Sequence, residues 1–497
     1  MEASSFWRNT IVLSLLCTVT VIAAHAQDFS TLLSFNYANG ADPLNARLVQ
    51  GVNGKLYGTT AFGGSCPLYG LGCGTVFVVT SSGGLTTLHD FSGPDGAFPY
   101  SGLLLATDGN FYGTTQGGGA NCASSNGCGT LFRMTPTGEL TTIYSFCSLP
   151  NCTDGQGPSG GLVQGNDGNL YGTTTYGGSS DNCSLGCGTV FKVTPAGKVV
   201  MLTSFTGPPG GFYPSTRLIQ ATDGNFYGTT ESGGANCCGA GWGTIFQVTP
   251  KGTLTTLYSF CSQADCTDGS FPVGGVMQAV DGNLYGTTRS GGTGTNCAGG
   301  CGTAFRANLS GTPTILHNFT ATDDGFSPST SLIQATDGNF YGTTVQDGYD
   351  IDCLGDCGTI FKMTPAGNVT TLDTFTAAAA GSDLTSPLEQ ATDGNFYGTT
   401  YVGGQNGAGT IFSLSTGLRP FVRTAPNTGK VGTTVKILGT NLTRATCVSF
   451  NGIAAPFTVA SPSLIIATVP AGATTGKVKV MTAGGTLVSN IAFTVVP

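Results

Sequence analysis

Charge is scarce in this chain. Asp, Glu, Lys and Arg make up 9% of its 497 residues, against about a quarter in ordinary soluble domains. So little charge is common in disordered and in membrane proteins, yet neither class fits. Aromatic, Val, Ile and Leu residues recur at regular intervals, and beyond the N-terminus no apolar run is long enough to cross a bilayer. Lys and Arg number 18 against 26 Asp and Glu. The net charge of −8 and pI near 4.7 argue against nucleic acid as the partner, because phosphate binding needs clustered Lys and Arg.

The continuous apolar stretch is at the start. Arg8 supplies a positive n-region, Ile11 to Ala23 an apolar h-region, and Ala24-His25-Ala26 a cleavage site before Gln27. Residues 1–26 therefore read as a signal peptide; the run is too short to span a membrane comfortably, and Cys17 within it lacks the context of a lipoprotein signal. The mature chain is expected to be secreted or held at the cell surface, with no membrane span after cleavage.

Chemistry-bearing residues are few in that mature chain. His89 and His317 are its two histidines, and both stand where other repeats carry Tyr144, Tyr258 or Asp373. Glu139, Glu231 and Glu389 are its glutamates, and Glu139 lies beside a hairpin turn. Neither a Ser/His/Asp arrangement nor a phosphate loop is evident. A pairing of Glu231 with an aspartate is what remains for glycoside hydrolysis.

Glycine, at 80 residues, is abundant, and it belongs to a repeat. The string [LF]-Y-G-T-T occurs seven times, at Tyr57, Tyr112, Tyr171, Tyr227, Tyr285, Tyr341 and Tyr397. A spacing this long and regular marks an array of supersecondary units. In the second unit, strands are expected over 102–106, 111–115, 129–135 and 140–146, with Asp108-Gly109-Asn110 as the first hairpin turn and Pro136-Thr137-Gly138 as the last. Four antiparallel strands at a fixed period predict propeller blades. The glycine of Y-G-T-T is expected to let adjacent sheets approach closely. Six fourth strands follow repeats 1 to 6, and the missing seventh matches residues 29–35, so an N-terminal strand should close the last blade. The fold class is thus all-β: a seven-bladed β-propeller over 27–415, followed over 416–497 by an immunoglobulin-like β-sandwich with strands near 434–438, 447–450, 465–468, 477–481 and 491–496.

The repeats, with D-G-N-[FL]-Y-G-T-T, C-G-T-[VI]-F and a T-P-x-G turn, resemble the GloVer-type tandem repeats of exported bacterial proteins over about 29–414. That resemblance implies a sorting or anchoring segment at the end; Phe493 to Pro497 offers neither an apolar helix nor a basic cluster, so the anchor is expected to be absent or replaced. Pro426 to Gly432, Val435 to Gly439, Phe450-Asn451-Gly452 and Val469 to Ala473 resemble an IPT/TIG domain, which implies a spacer or binding module without catalysis of its own.

Sixteen cysteines lie in the repeats and pair locally by spacing: Cys66/Cys73, Cys122/Cys128, Cys183/Cys187, Cys297/Cys301 and Cys353/Cys357 between the second and third strands, and Cys147/Cys152 and Cys261/Cys266 between repeats. In repeat 4 Trp242 stands where the second cysteine belongs, leaving the adjacent Cys237 and Cys238. Export favours disulfides over zinc, and the loops hold no histidine. Cys447 is left over.

Strand parity puts the cysteine loops and inter-repeat connections at one end, the invariant turns at the other. The residue after Y-G-T-T varies most: Ala61, Gln116, Thr175, Glu231, Arg289, Val345 and Tyr401. Variable loops on a rigid scaffold suit binding, with Gln116, Thr175, Glu231, Arg289 and Tyr401 as candidate ligand contacts; drift at exposed positions would look the same. Asp347, Asp350, Asp352 and Asp356 could offer oxygen ligands to Ca²⁺, though their spacing is not that of an EF-hand and a solvated acidic loop competes. No other cofactor is indicated. The reading is an exported, non-catalytic binding or scaffold protein for an extracellular glycan or protein; the alternative is a carbohydrate-active propeller enzyme, a glycan hydrolase or lyase.

Overall fold

The computed structural model describes residues 27–66, 70–121, 127–235, 241–346, 357–375 and 380–496. The expected signal peptide lies outside them. Seven four-stranded sheets follow one another along the chain. In the first, Val49–Gln50, Leu56–Thr60, Thr75–Val79 and Leu85–Asp90 run from the innermost strand to the outermost, all antiparallel. The second keeps Phe111–Thr115, Thr130–Met134 and Leu140–Ser145, while its inner strand contracts to Leu104–Leu105. The seventh sheet is completed by Asp28–Ser34, which pairs with Thr410–Ser415. One buried apolar cluster fills each seam between neighbouring blades, and the cluster holding Phe35, Leu48, Phe77, Tyr397 and Ile411 joins the last blade to the first. The ring is closed.

Each letter of the repeat has a physical task. The glycine of Y-G-T-T faces the phenylalanine of C-G-T-[VI]-F across the ladder, as Gly58 faces Phe77. A β-carbon on Gly58 would lie 2.6 Å from Phe77 Cζ, and on Gly172 2.5 Å from Phe191 Cζ. The glycine thus makes room for a ring of its own blade; the sheets themselves do not need it to approach. That ring then meets the phenylalanine that follows the preceding blade's outer strand. Phe35–Phe77, Phe91–Phe132, Phe146–Phe191, Phe205–Phe246, Phe260–Phe305, Phe319–Phe361 and Phe375–Phe412 repeat this edge-to-face or tilted contact with centroids 5.0 to 5.4 Å apart.

The remaining letters hold the two ends of the blade. In Asp-Gly-Asn the aspartate accepts from the asparagine backbone and side chain and from the tyrosine hydroxyl, as Asp167 does from Asn169 N at 3.1 Å and Tyr171 Oη at 2.7 Å. At the other end the last threonine of Y-G-T-T pairs with that of C-G-T through buried hydroxyls, in all seven blades at 2.6 to 3.0 Å. A belt of glutamines on the inner strands ties the blades together. Gln50, Gln164, Gln220, Gln278, Gln334 and Gln390 each accept from a turn amide of the preceding blade. Leu105 interrupts the belt in the second blade.

The C-terminal segment forms two four-stranded sheets. Arg423–Ala425, Thr434–Leu438, Leu464–Thr468 and Phe457–Ser461 make one; Ile453–Ala454, Cys447–Phe450, Val478–Thr482 and Gly485–Val488 make the other. Val435, Ile437, Val448, Phe450, Ile465, Val478, Val480 and Phe493 fill the space between them. The edge strands have half-exposed patterns that give weak sequence signals, and the expected last strand shrinks to Thr494–Val495.

If the phenylalanine-on-glycine seam sets blade geometry, Gly172→Ala should lower stability by about 1–3 kcal/mol through overpacking. Chemical denaturation monitors this; an unchanged midpoint would contradict the steric account.

Candidate functional site

The cysteine loops and the inter-repeat connections do share one end of the ring. The backbone joins them directly: Gly178 N donates to Cys152 O at 3.0 Å and Gly292 N to Cys266 O at 3.0 Å. Disulfides link Cys66–Cys73, Cys147–Cys152, Cys183–Cys187, Cys261–Cys266 and Cys297–Cys301. Cys128 and Cys357 are also disulfide-bonded. Cys122, Cys237, Cys238 and Cys353 lie outside the described residues, as do Asp347, Asp350, Asp352 and Asp356 of the candidate calcium loop. The sulfurs of Cys128, Cys147 and Cys152 lie within 4.8 Å of one another, but bonded sulfurs are not the thiolates that zinc requires. Cys447 is free. His89 and His317 pair with Asp95 and Asp324 at 2.8 and 2.9 Å, the position at which Tyr144 and Tyr258 reach Asp154 and Asp268. Each aspartate also accepts from backbone N–H groups of its connection, so these contacts hold the connections in shape.

The seven residues after Y-G-T-T occupy equivalent places. Each donates its amide to the carbonyl of a residue with positive φ in the connection, as Ala61 does to Asp42 and Tyr401 to Asp383. Their side chains then diverge. Thr175 is buried and bonds Ser159 Oγ at 2.6 Å, and Ala61 is buried. Gln116, Glu231, Val345 and Tyr401 are half-buried and Arg289 is exposed; Glu231 and Arg289 form no ion pair among the described residues.

Around them stands a rim of half-exposed aromatic rings. Phe62 meets Phe98 at 5.4 Å and Tyr100 at 6.4 Å, Tyr176 meets Tyr213 at 5.3 Å, and Trp242 meets Phe271 at 5.2 Å. Asp42 lies in electrostatic reach of both Tyr100 and Tyr401. Its backbone is left-handed at φ 54°. Its Oδ1 is buried without a hydrogen-bond partner among the described residues. Burial pushes its carboxyl up to about 6. Burial and then the fields of Asp42 and Asp383 raise the Tyr401 hydroxyl.

The opposite end is covered by the sandwich. Phe421 N donates to Thr392 O at 3.0 Å, Ser463 Oγ to Val52 O at 2.9 Å, and Thr440 Oγ1 shares a hydrogen with Thr392 Oγ1 at 3.0 Å. Glu389, 2% exposed, is gripped by Arg47 at 2.8 Å and by Arg423 at 2.6 Å. Arg423 also donates to Gln390 O at 2.8 Å. Burial raises the Glu389 carboxyl, but the Arg423 and Arg47 cations outweigh it and hold the group below its ordinary 4.5. Cavities of about 400 and 570 Å³ open between ring and sandwich, and one of about 550 Å³ lies between the second and third blades at this end.

The profile of the Gloeobacter/Verrucomicrobia repeat matches residues 17–185, 122–349 and 240–452. The chain belongs to the Gloeobacter/Verrucomicrobia repeat family. An IPT/TIG domain matches 422–495. No curated relative matches the chain. Among solved structures it is similar to a putative gluconolactonase (13% identity, 80% of this chain and 94% of that one, TM-score 0.37). It is also similar to the extracellular domain of a putative hybrid two-component system from B. thetaiotaomicron (13%, 92% and 54%, 0.48). A third similar structure is a luciferin-regenerating enzyme (11%, 80% and 98%, 0.37).

In this Gloeobacter/Verrucomicrobia repeat protein the residues missed by sequence reasoning are those that break the repeat. Glu389 stands where the other blades carry Val49, Leu104, Val163, Ile219, Met277 and Ile333, and a charge in an apolar register was the available signal. Asp42 and Tyr100 sit in the connections between repeats, outside the repeated strings; Asp42 occupies the place of Phe98, two residues before Tyr100.

Because the Glu389 carboxyl is depressed, its contribution to stability is complete above pH 4.5 and is lost as pH falls through the lower folded value. Glu389→Gln should cost roughly 2–4 kcal/mol at pH 7, less than a fully buried pair because Arg47 keeps contact with water. It should also flatten the melting-temperature profile below about pH 4.5. A variant as stable and as acid-sensitive as the parent would refute the pairing.

Proposed function

We propose that the chain is an exported, non-catalytic binding protein whose cysteine-loop end takes a saccharide. Export rests on the signal-like residues 1–26 and on the disulfides, which persist in oxidising compartments. The saccharide class rests on the aromatic rim, since ring faces pack against the C–H faces of sugars while edge carboxylates and amides take the hydroxyls. Asp42 carries the reading: a carboxyl in electrostatic reach of Tyr100 and Tyr401, with one buried oxygen that has no hydrogen-bond partner among the described residues. Leaving such a group unpaired costs stability unless a ligand satisfies it. The sandwich, docked on the far end, leaves this end open and serves as a spacer.

The raised carboxyl of Asp42 means that the fold prefers its neutral form; that contribution is present below 3.8 and lost as pH rises through about 6. Sugar hydroxyls donating to the ionised form reverse the preference, because charge-assisted hydrogen bonds are stronger. The same feature favours a second reading, in which Asp42 is a general acid in glycoside hydrolysis with Asp383 as its partner.

A glycan array with the purified chain, followed by titration calorimetry on each hit, tests both. Binding should tighten between pH 5 and 7, Asp42→Asn should remove that dependence, and Tyr100→Ala or Tyr213→Ala should weaken it by about tenfold. Absence of any glycan ligand would defeat the saccharide reading. Release of shortened products that stops in Asp42→Asn would replace binding with hydrolysis.

A further inference from the structure

Three guanidiniums and one carboxylate gather at the sandwich end of the ring axis. Glu389 is shared by Arg47 and Arg423. Arg217, from the fourth blade, feels the charges of both Arg47 and Glu389. Its Nε donates to Leu162 O at 2.8 Å, and neither Nη group has a hydrogen-bond partner among the described residues. Burial first, and the like charge of Arg47 second, push it down to about 10, still a cation at neutral pH. The cluster is therefore cationic inside a chain whose net charge is −8.

The fold does not require Arg217. The equivalent positions are Gly102, Gly161, Gly275, Ser331 and Pro387 in five other blades, and the ring closes there all the same. Arg217 lies beside Gly161, where a β-carbon would stand 3.9 Å from its Cγ. Arg217 is half-buried, and its two Nη groups are not sealed from solvent. Arg217 and Arg423 both line the cavity of about 570 Å³ between ring and sandwich. Asn166 from the ring and Asn427 and Asn490 from the sandwich are among its polar lining.

We propose that this cavity binds a small polyhydroxylated anion of the sugar-acid or sugar-phosphate class. A guanidinium with both Nη groups unpaired matches the two oxygens of a carboxylate or phosphate. Arg423 is already engaged with Glu389 and Gln390, so it adds field while Arg217 supplies the fork. The side-chain amides of Asn166 and Asn427 have no hydrogen-bond partner among the described residues, and an amide both donates and accepts, which suits hydroxyls. A cavity of this size lies in the range of small-molecule sites and exceeds what an inorganic ion fills. The ligand would touch ring and sandwich together, so its binding should stabilise their docking.

Titration calorimetry and thermal melting of the purified chain, with glucuronate, glucose 6-phosphate, inorganic phosphate and glucose as separate probes, test the site. Glucuronate or glucose 6-phosphate should bind, raise the melting temperature and lose affinity as salt increases, while glucose should not bind here. Whichever of the two anions binds more tightly assigns the carboxylate or the phosphate source. Arg217→Ser, which installs the residue found in the sixth blade, should fold normally and weaken binding on the order of tenfold or more. Tyr100→Ala and Tyr213→Ala, at the other end, should leave it unchanged, which separates this site from the saccharide mouth. No binding by either sugar anion, equal binding of glucose, binding indifferent to Arg217→Ser, or inorganic phosphate binding as tightly as the sugar anions would each overturn the proposal.

Discussion

A phenylalanine ring lying across a glycine sets the geometry of every blade. The ring fits there only because the facing residue has no side chain, and from that position it meets a phenylalanine of the preceding blade. Repeated seven times, this contact turns a string of sheets into a closed circle, with Asp28–Ser34 as the outer strand of the last blade. The same motif fixes both ends of the blade, through the aspartate–tyrosine bond at one and the paired threonines at the other. The repeated letters are thus fully engaged in folding. Recognition has to fall to residues that depart from the repeat.

Those departures gather at the two mouths of the ring. At the cysteine-loop mouth, short stapled loops hold an aromatic rim in place, and Asp42 contributes a carboxyl that burial raises to about 6. At the other mouth, Glu389 draws Arg423 of the sandwich onto the ring axis. The sandwich meets Val52 in the first blade, next to the second, where Leu105 leaves the glutamine belt open. Docking of the sandwich is therefore asymmetric on a nearly symmetric ring, with one buried carboxylate at its centre and hydrogen bonds to Val52 and Thr392 beside it.

The fold class was legible because its signals are local and repeated. Asp-Gly turns, apolar strands and a period near 56 residues each point to the same four-stranded unit. The role of the Y-G-T-T glycine was misread, because sequence shows that a glycine is small but not which ring lies over it; the cross-strand register pairing Gly58 with Phe77 decides that. The weak edge strands Phe457–Ser461 and Gly485–Val488 were invisible, since neither holds a buried residue and such half-exposed stretches resemble loops. The site was less legible still. Variability after Y-G-T-T drew attention to Thr175, whose hydroxyl is engaged with Ser159, and passed over Asp42 and Tyr100 in the connections. Proximity around a ring axis joins residues hundreds of positions apart, as with Arg47 and Glu389, and no local pattern encodes it.

The central claim is that the blades form one closed, mutually dependent circle. Native-state hydrogen exchange resolved by blade tests it most directly. A closed ring predicts that amides of the third strands, from Thr75–Val79 to Thr410–Ser415, exchange through a single global opening of nearly equal free energy, with Asp28–Ser34 protected alongside its partner. Protection that falls off gradually toward the first and seventh blades, as in an open stack of repeats, would contradict it.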